Sequence, residues 1–320
     1  MRRDSNMKIT LHNGLAWNSL RSVCVSIAFL FLMVPATGSG QASAATLDRI
    51  KQAGKITFGY RTDARPFSYQ DESGKATGYS ADLCQRIAED AKTELGLSSL
   101  AVEWVPVTLQ DRFDVVQQGK VDLLCGADTA TLTRRKTVSF SIPVFPDGLG
   151  ALLRADAQPH LAEVLTGQPN TEPIWRGSPA RILDKKRFAV VKGTTAEKWL
   201  ADRIDTFEIS ASVLPVESYA AGMNRVLDRD VDVLFGDRAI LLDTAAALSS
   251  GGDLMVLDRL FTYEPLAITL QRGDEDLRLV VDRALSRLFT SPDIRELYQK
   301  WFGAPDLEVA TFFQMTSLPE

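Results

Sequence analysis

The sequence predicts an α/β fold of two lobes, each a mostly parallel sheet flanked by helices, joined by two chain crossings. Three observations carry this. Strand and helix patterns alternate between residues 55 and 125; the alternation resumes between 188 and 235; and two charged helical segments follow a last apolar stretch near 270. Short apolar runs separated by amphipathic helices pair in parallel, because each helix must cover a sheet face. Two crossings between lobes make a hinge and leave a cleft.

Lys55 to Tyr60 (KITFGY) reads as the first strand, rich in β-branched and aromatic residues and bounded by Gly54. A short extended piece, Phe67 to Tyr69, precedes the turn Asp71-Glu72-Ser73-Gly74. A helix is predicted from near Tyr79, where Leu83, Ile87, Ala88 and Ala91 recur on one face and Asp82, Gln85, Arg86 and Glu89 on the other. Strands at 101–105 and 121–125 flank a helix at 109–118. The apolar run 140–153 leaves the first lobe, and residues 155–185 form an irregular segment that is long for a connection. Strands at 188–192, 212–216 and 231–235 then alternate with helices at 195–201 and 216–228. Apolar stretches at 255–260 and 266–270 precede helices at 275–289 and 291–302. The division expected is 45–147 for the first part of lobe one, 148–258 for lobe two and 259–320 for the return to lobe one and the C-terminal helices.

Residues 1–44 read as an export leader. Arg2, Arg3 and Lys8 are followed by the apolar run Val23 to Pro35 and by Ala42-Ser43-Ala44, which suits cleavage before Ala45. The run is short for a membrane span, although an uncleaved anchor is the alternative. Of 36 basic and 41 acidic residues, the leader removes four and one, leaving 32 against 40 and a net charge near −8. That balance argues against a nucleic-acid partner. Cys84 and Cys125 remain after processing, either as one disulfide, which an oxidising compartment permits, or as two buried thiols.

Loops at the ends of parallel strands are where this architecture exposes ligand groups. Arg61 to Phe67 follows the first strand, Gly126 to Arg135 the third, and Gly236-Asp237-Arg238 the last strand of lobe two. Arg134 can hold a carboxylate through two parallel hydrogen bonds, with the Thr129 hydroxyl and backbone N–H groups of the loop around Ala127 in support. A solvated helix start is its alternative role. Asp237 can accept an ammonium or cap the helix that follows it. Gly193-Thr194-Thr195 opens a helix and offers either an anion site or an ordinary cap. Phe67 and Tyr69 could wall a cleft, yet alternation places one of them in the core. After the leader His160 is the only histidine, and no glycine pattern for nucleotides occurs, so neither cofactor nor metal is expected.

At these residues the chain resembles the periplasmic solute-binding proteins of ABC importers, in the polar amino-acid class. The matching runs are KITFGYRTDARPFSYQDESGKATGYSADLCQRIAE, GKVDLLCGADTATLTRRKTVSFSIPVF, VVKGTTAEKWL, RDVDVLFGDRAILL and LRLVVDRALSRLFTSPDIRELYQKWFG, in order from about Leu47 to Phe302. The resemblance implies the two-lobed periplasmic binding protein fold and ligand roles for Arg61, Phe67, Ala127, Thr129, Arg134, Thr194, Thr195 and Asp237. Arg134 would grip the α-carboxylate, the Thr194-Thr195 turn would support it, and Asp237, five residues after Asp232, would hold the α-ammonium. Glutamate/aspartate-binding members carry an arginine in a run similar to YRTDARPFSY, which implies an acidic ligand facing Arg61. Those members have asparagines where this chain has Ala130 and Thr131, and Asp63 stands where it can neutralise Arg61 or Arg65. The resemblance also implies a Cys84–Cys125 bridge inside lobe one, a periplasmic monomer, and a membrane permease as partner. An exported prephenate or arogenate dehydratase on the same fold is the enzymatic alternative, and a ligand-sensing module for a membrane receptor is the third reading.

Overall fold

The computed structural model describes residues 41–167, 179–248 and 252–320. The expected leader therefore lies outside the described residues apart from its last four, as does the middle of the irregular 155–185 segment. The first lobe opens with α1 (Gln41–Ala53), β1 (Lys55–Arg61), β2 (Asp63–Ala64), β3 (Ser68–Gln70), β4 (Ala76–Thr77) and α2 (Tyr79–Glu94). It continues through β5 (Ala101–Val107), α3 (Arg112–Gln117), β6 (Leu123–Leu124) and β7 (Val138–Asp147). Then come β8 (Leu149–Arg154), α4 (Pro159–Thr166), β9 (Arg187–Val191), α5 (Thr195–Thr206), β10 (Ser212–Val216), α6 (Tyr219–Leu227), β11 (Val233–Asp237), α7 (Arg238–Leu248) and β12 (Leu254–Val256). The chain ends with β13 (Glu264–Gln271), α8 (Glu275–Thr290), α9 (Asp293–Phe302) and α10 (Leu307–Thr316).

Two five-stranded sheets form, in the orders β5-β1-β6-β13-β7 and β10-β9-β11-β8-β12. The first pairs β5, β1 and β6 in parallel, with β13 antiparallel to both β6 and β7. The second repeats the arrangement: β10, β9 and β11 are parallel, and β8 runs against β11 and β12. One strand in each sheet thus opposes the other four, as a mostly parallel fold allows. Strands β7 and β8 are separated only by Gly148, and β12 reaches β13 through residues 257–263, so both crossings lie side by side. A side chain at Gly148 would sit 2.0 Å from the Thr262 carbonyl oxygen, so this close approach requires glycine.

The core of lobe one packs α2, α8 and α9 on β1, β6 and β13, with Phe58, Leu83, Ile87, Leu123, Ile268, Val281 and Leu285 buried. An aromatic cluster seals the hinge end: Phe145 of β7 lies 4.9 Å from the Phe67 ring, 6.0 Å from Tyr79 and 4.7 Å from Phe302. Phe67 is fully buried there. This corrects its expected place on the cleft wall: of the alternating pair Phe67 and Tyr69, Phe67 is the core residue. Cys84 of α2 and Cys125, just past β6, form a disulfide, both fully buried. The bridge lies within lobe one and spans neither crossing.

Candidate ligand-binding site

Each half of the site grows from the end of a central strand. In lobe one the chain leaves β6 through Gly126 and Ala127 to Asp128 and Thr129. Asp128 is buried and accepts from Arg112 Nε at 2.7 Å, an ion pair that pins α3 beneath the loop. Thr129 bridges to Leu266 of β13 and is also buried, whereas Ala127 is half-buried against the core. With the loop anchored, the backbone N–H of Arg134 donates to Thr131 Oγ1 at 3.1 Å and its Nη1 donates to the Thr129 carbonyl at 2.9 Å. The guanidinium lies 5.1 Å from the centre of the Phe113 ring. Burial and then the nearby Arg112 push its pKa down, while Asp128, Asp237 and Glu264 hold it up.

In lobe two, α5 starts directly opposite. Gly193 takes a φ of +79° in the turn, and its N–H donates to Glu197 Oε2 at 2.9 Å. Thr194 occupies the cap position, but its hydroxyl donates to the Val191 carbonyl at 2.7 Å and does not cap the helix. Thr131, Thr133 and Arg134 on one side and Gly193, Thr194, Thr195 and Trp199 on the other line an open cleft of about 390 Å³. Of the residues singled out in the sequence, Arg134, Thr194 and Thr195 meet there.

Asp237 and Arg61 do not line that open volume; they sit buried at 7% and 2% exposure. Asp237 ends β11 and accepts a short hydrogen bond from the Tyr219 hydroxyl, which in turn accepts from the Asp237 N–H at 3.3 Å. Gly236 permits the approach, since a Cβ there would lie 2.4 Å from the Tyr219 ring. Tyr219 opens α6 behind the Ser218 cap, which accepts from the Ala221 N–H at 3.2 Å. Burial raises the Asp237 pKa, and the Tyr219 hydrogen bond, Arg134 and Arg61 oppose that rise. Both cations therefore act on the same carboxylate. Asp232 serves the sheet instead, accepting the Arg187 N–H at 2.7 Å at the start of β9.

Arg61 ends β1 with Nε and Nη2 donating to a single oxygen of Asp63, at 3.0 and 2.7 Å. Its backbone N–H donates to Ser68 Oγ at 2.9 Å, so both chain and guanidinium are fixed. Arg65 instead reaches across to Asp243 of α7 at 3.0 Å.

Tyr219, Asp147 and Glu264 join the site without a local sequence signal to mark them. Asp147 and Glu264 face each other across β7 and β13, and each leaves one buried oxygen without a hydrogen-bond partner among the described residues. Burial, then the charge of Asp237, pushes the Asp147 carboxyl well above the usual range. The unfolded chain gives up that proton near pH ~3.9. The native protein keeps it to higher pH, so Asp147 costs stability progressively as pH rises through that window. Asp147→Asn is therefore expected to raise the melting temperature, and to raise it more at pH 7 than at pH 4. Calorimetric scans at pH 4 and pH 7 check this; a gain no larger at pH 7 than at pH 4 contradicts it.

The arrangement resembles a two-sided clamp, with a guanidinium on one lobe and a carboxylate and hydroxyls on the other. Known proteins resemble the chain over most of its length. A Pseudomonas aeruginosa L-glutamate/L-aspartate-binding protein is 29% identical over 261 residues, covering 81% of this chain and 80% of the relative. A Bacillus subtilis ABC transporter glutamine-binding protein is 28% identical, covering 88% and 96%. Among solved structures, an ancestral amino acid-binding protein described as a precursor of cyclohexadienyl dehydratase superposes with a TM-score of 0.65 at 26% identity, over 80% of this chain and 99% of that one. Residues 56–304 match the model of the bacterial extracellular solute-binding proteins, family 3, and the chain belongs to that family.

Proposed function

We propose that this protein captures a polar α-amino acid between its lobes in the periplasm, after export by its N-terminal leader, and delivers it to the membrane permease of an ABC importer. One observation supports the reading: Arg134 of lobe one lines the cleft and feels the charge of Asp237, the carboxylate buried at the end of a lobe-two strand, as the two ends of a zwitterion require. Arg134 takes the α-carboxylate with help from the Thr194-Thr195 turn, and Asp237, steadied by Tyr219, takes the α-ammonium. Thr129 and Ala127 supply the loop that carries Arg134, and Arg61 stands toward the ligand side chain. The relatives named for glutamate/aspartate and for glutamine support a ligand of comparable size and polarity.

Since each lobe offers half of the contacts, ligand binding favours the closed form, and the permease reads that form. A single chain supplies both halves, so the working unit is a monomer. Titration calorimetry against the twenty amino acids is expected to find at least one polar ligand with a Kd in the micromolar range or tighter, about −8 kcal/mol or better. Binding of none of them would overturn the reading.

A further inference from the structure

Resting on that amino-acid site, we infer that Asp63 is a specificity-determining residue that reserves the site for amino acids with uncharged polar side chains, carboxamides foremost, over those with acidic ones. The balance of charge at the cleft is the reason. Four cations bear on it: Arg134 and Lys198 line the cleft, Arg112 pairs with Asp128 in the loop that carries Arg134, and Arg61 ends β1, the strand beside β6. Arg61 is paired with Asp63, Arg112 with Asp128, and Lys198 with Asp202 at 2.6 Å. Of these four, only Arg134 has no carboxylate in ion-pair contact among the described residues; it donates to a carbonyl and lies over a ring. One unmatched cation accommodates one carboxylate, and an α-amino acid already brings one.

A second carboxylate, on the ligand side chain, would have to look to Arg61. Arg61 ends β1, the neighbour of β6 whose following loop carries Arg134, so the two guanidinium groups rise from adjacent strand ends, and both act on the charge of Asp237. Its side chain is almost wholly buried, and both donors on its inner edge are spent on one oxygen of Asp63. Asp63 is tethered two residues further along the chain, past a bend at Thr62, and pairs with Arg61 from there, so an incoming carboxylate competes with a counter-ion that is always present. The surroundings add to the barrier: Glu264 acts on Asp237, as Arg61 does, so a further carboxylate there meets acidic groups already in place. The bonds to Asp63 use Nε and Nη2 and leave Nη1 out, and a guanidinium N–H can donate to a neutral oxygen. A carboxamide oxygen or a hydroxyl satisfies it without bringing further negative charge.

The test is calorimetry at pH 7 with glutamine, asparagine, glutamate and aspartate on the full chain and two variants. The wild type is expected to favour each amide over its acid by at least about tenfold, a difference in affinities set by one unmatched charge. Asp63→Asn, which frees the Arg61 charge, is expected to move that ratio toward the acid by about tenfold or more, and Asp63→Glu to keep the amide preference. A wild type that binds glutamate or aspartate more tightly than its amide overturns the inference, whether or not the variants fold. An unchanged ratio in folded Asp63→Asn does the same. If none of the twenty amino acids binds, it is the amino-acid reading of the site that fails.

Discussion

Replacing Arg134 by alanine is expected to reduce affinity for every α-amino acid by about 30-fold to a few thousandfold, because truncating one member of a buried, hydrogen-bonded charge pair costs about 2–5 kcal/mol. The loss should be uniform across ligands, since the α-carboxylate is common to them all. Its size follows from how the cations of the cleft are paired: Arg134 is the one there without a carboxylate partner among the described residues, and no second guanidinium is free to take over. Lysine at this position keeps the charge but loses the fork that matches a carboxylate, so Arg134→Lys should recover only part of the affinity. The fold should tolerate alanine, since the side chain makes one hydrogen bond, to the Thr129 carbonyl, and the loop beneath is held by Asp128 and Arg112. Calorimetry with the best wild-type ligand checks the prediction; an alanine variant within about threefold of wild type would remove Arg134 from the role of carboxylate clamp.

The second large effect is on stability. Replacing both Cys84 and Cys125 by alanine opens a loop closed across 41 residues of sequence. In the chain-entropy account a loop of that length is worth about 4 kcal/mol, and for a chain of this size such a loss lowers the melting temperature by about 8–16 °C. Reduction of the wild type by a thiol should approach the same value once the buried bridge becomes accessible. Ligand affinity at 25 °C should stay within about threefold, because the bridge ties α2 to the strand beside it within a single lobe and leaves both crossings free. Scanning calorimetry with and without reductant measures the first effect. A shift under about 3 °C would mean that the packing around Cys84 and Cys125 already restrains the same loop.

The parts of this architecture with a continuous apolar signal could be read directly from the residues. KITFGY is a strand because six neighbouring residues agree, and α2 is a helix because Leu83, Ile87, Ala88 and Ala91 align on one face, all of them buried. Boundaries are harder to read where side chains replace backbone pairing. The strand expected at 121–125 shrinks to two residues, Leu123–Leu124, since the Asp122 carboxylate takes the Thr57 N–H at 2.8 Å that a ladder would otherwise use. Helices α1 and α10 give no such signal: each is docked by a few residues, Ile50 in one and Phe312 with Phe313 in the other, too few to set a period.

The site divides in the same way. Arg134 and the Gly193-Thr194-Thr195 turn could be found because a loop at a strand end is a local feature. Asp237 could be found too, but its partner Tyr219 lies eighteen positions earlier and is brought to it by the packing of α6 on β11, with Gly236 making room. Asp147 and Glu264 are more than a hundred residues apart and become neighbours only through the β7–β13 register. The pairing of Arg61 was legible as two alternatives, since both Arg61 and Arg65 flank Asp63. Tertiary structure decides it by offering Arg65 a different acid, Asp243, on the other lobe.

The joint at Gly148 carries a mechanical implication. Because a single residue separates β7 from β8 and the returning connection passes close against that residue at Thr262, the joint has little slack to absorb motion. It behaves as a flexure rather than a tether, turning about a narrow axis when torque is applied. A molecule held between the lobes would then change the angle between them, because so short a joint can take up little of the motion itself.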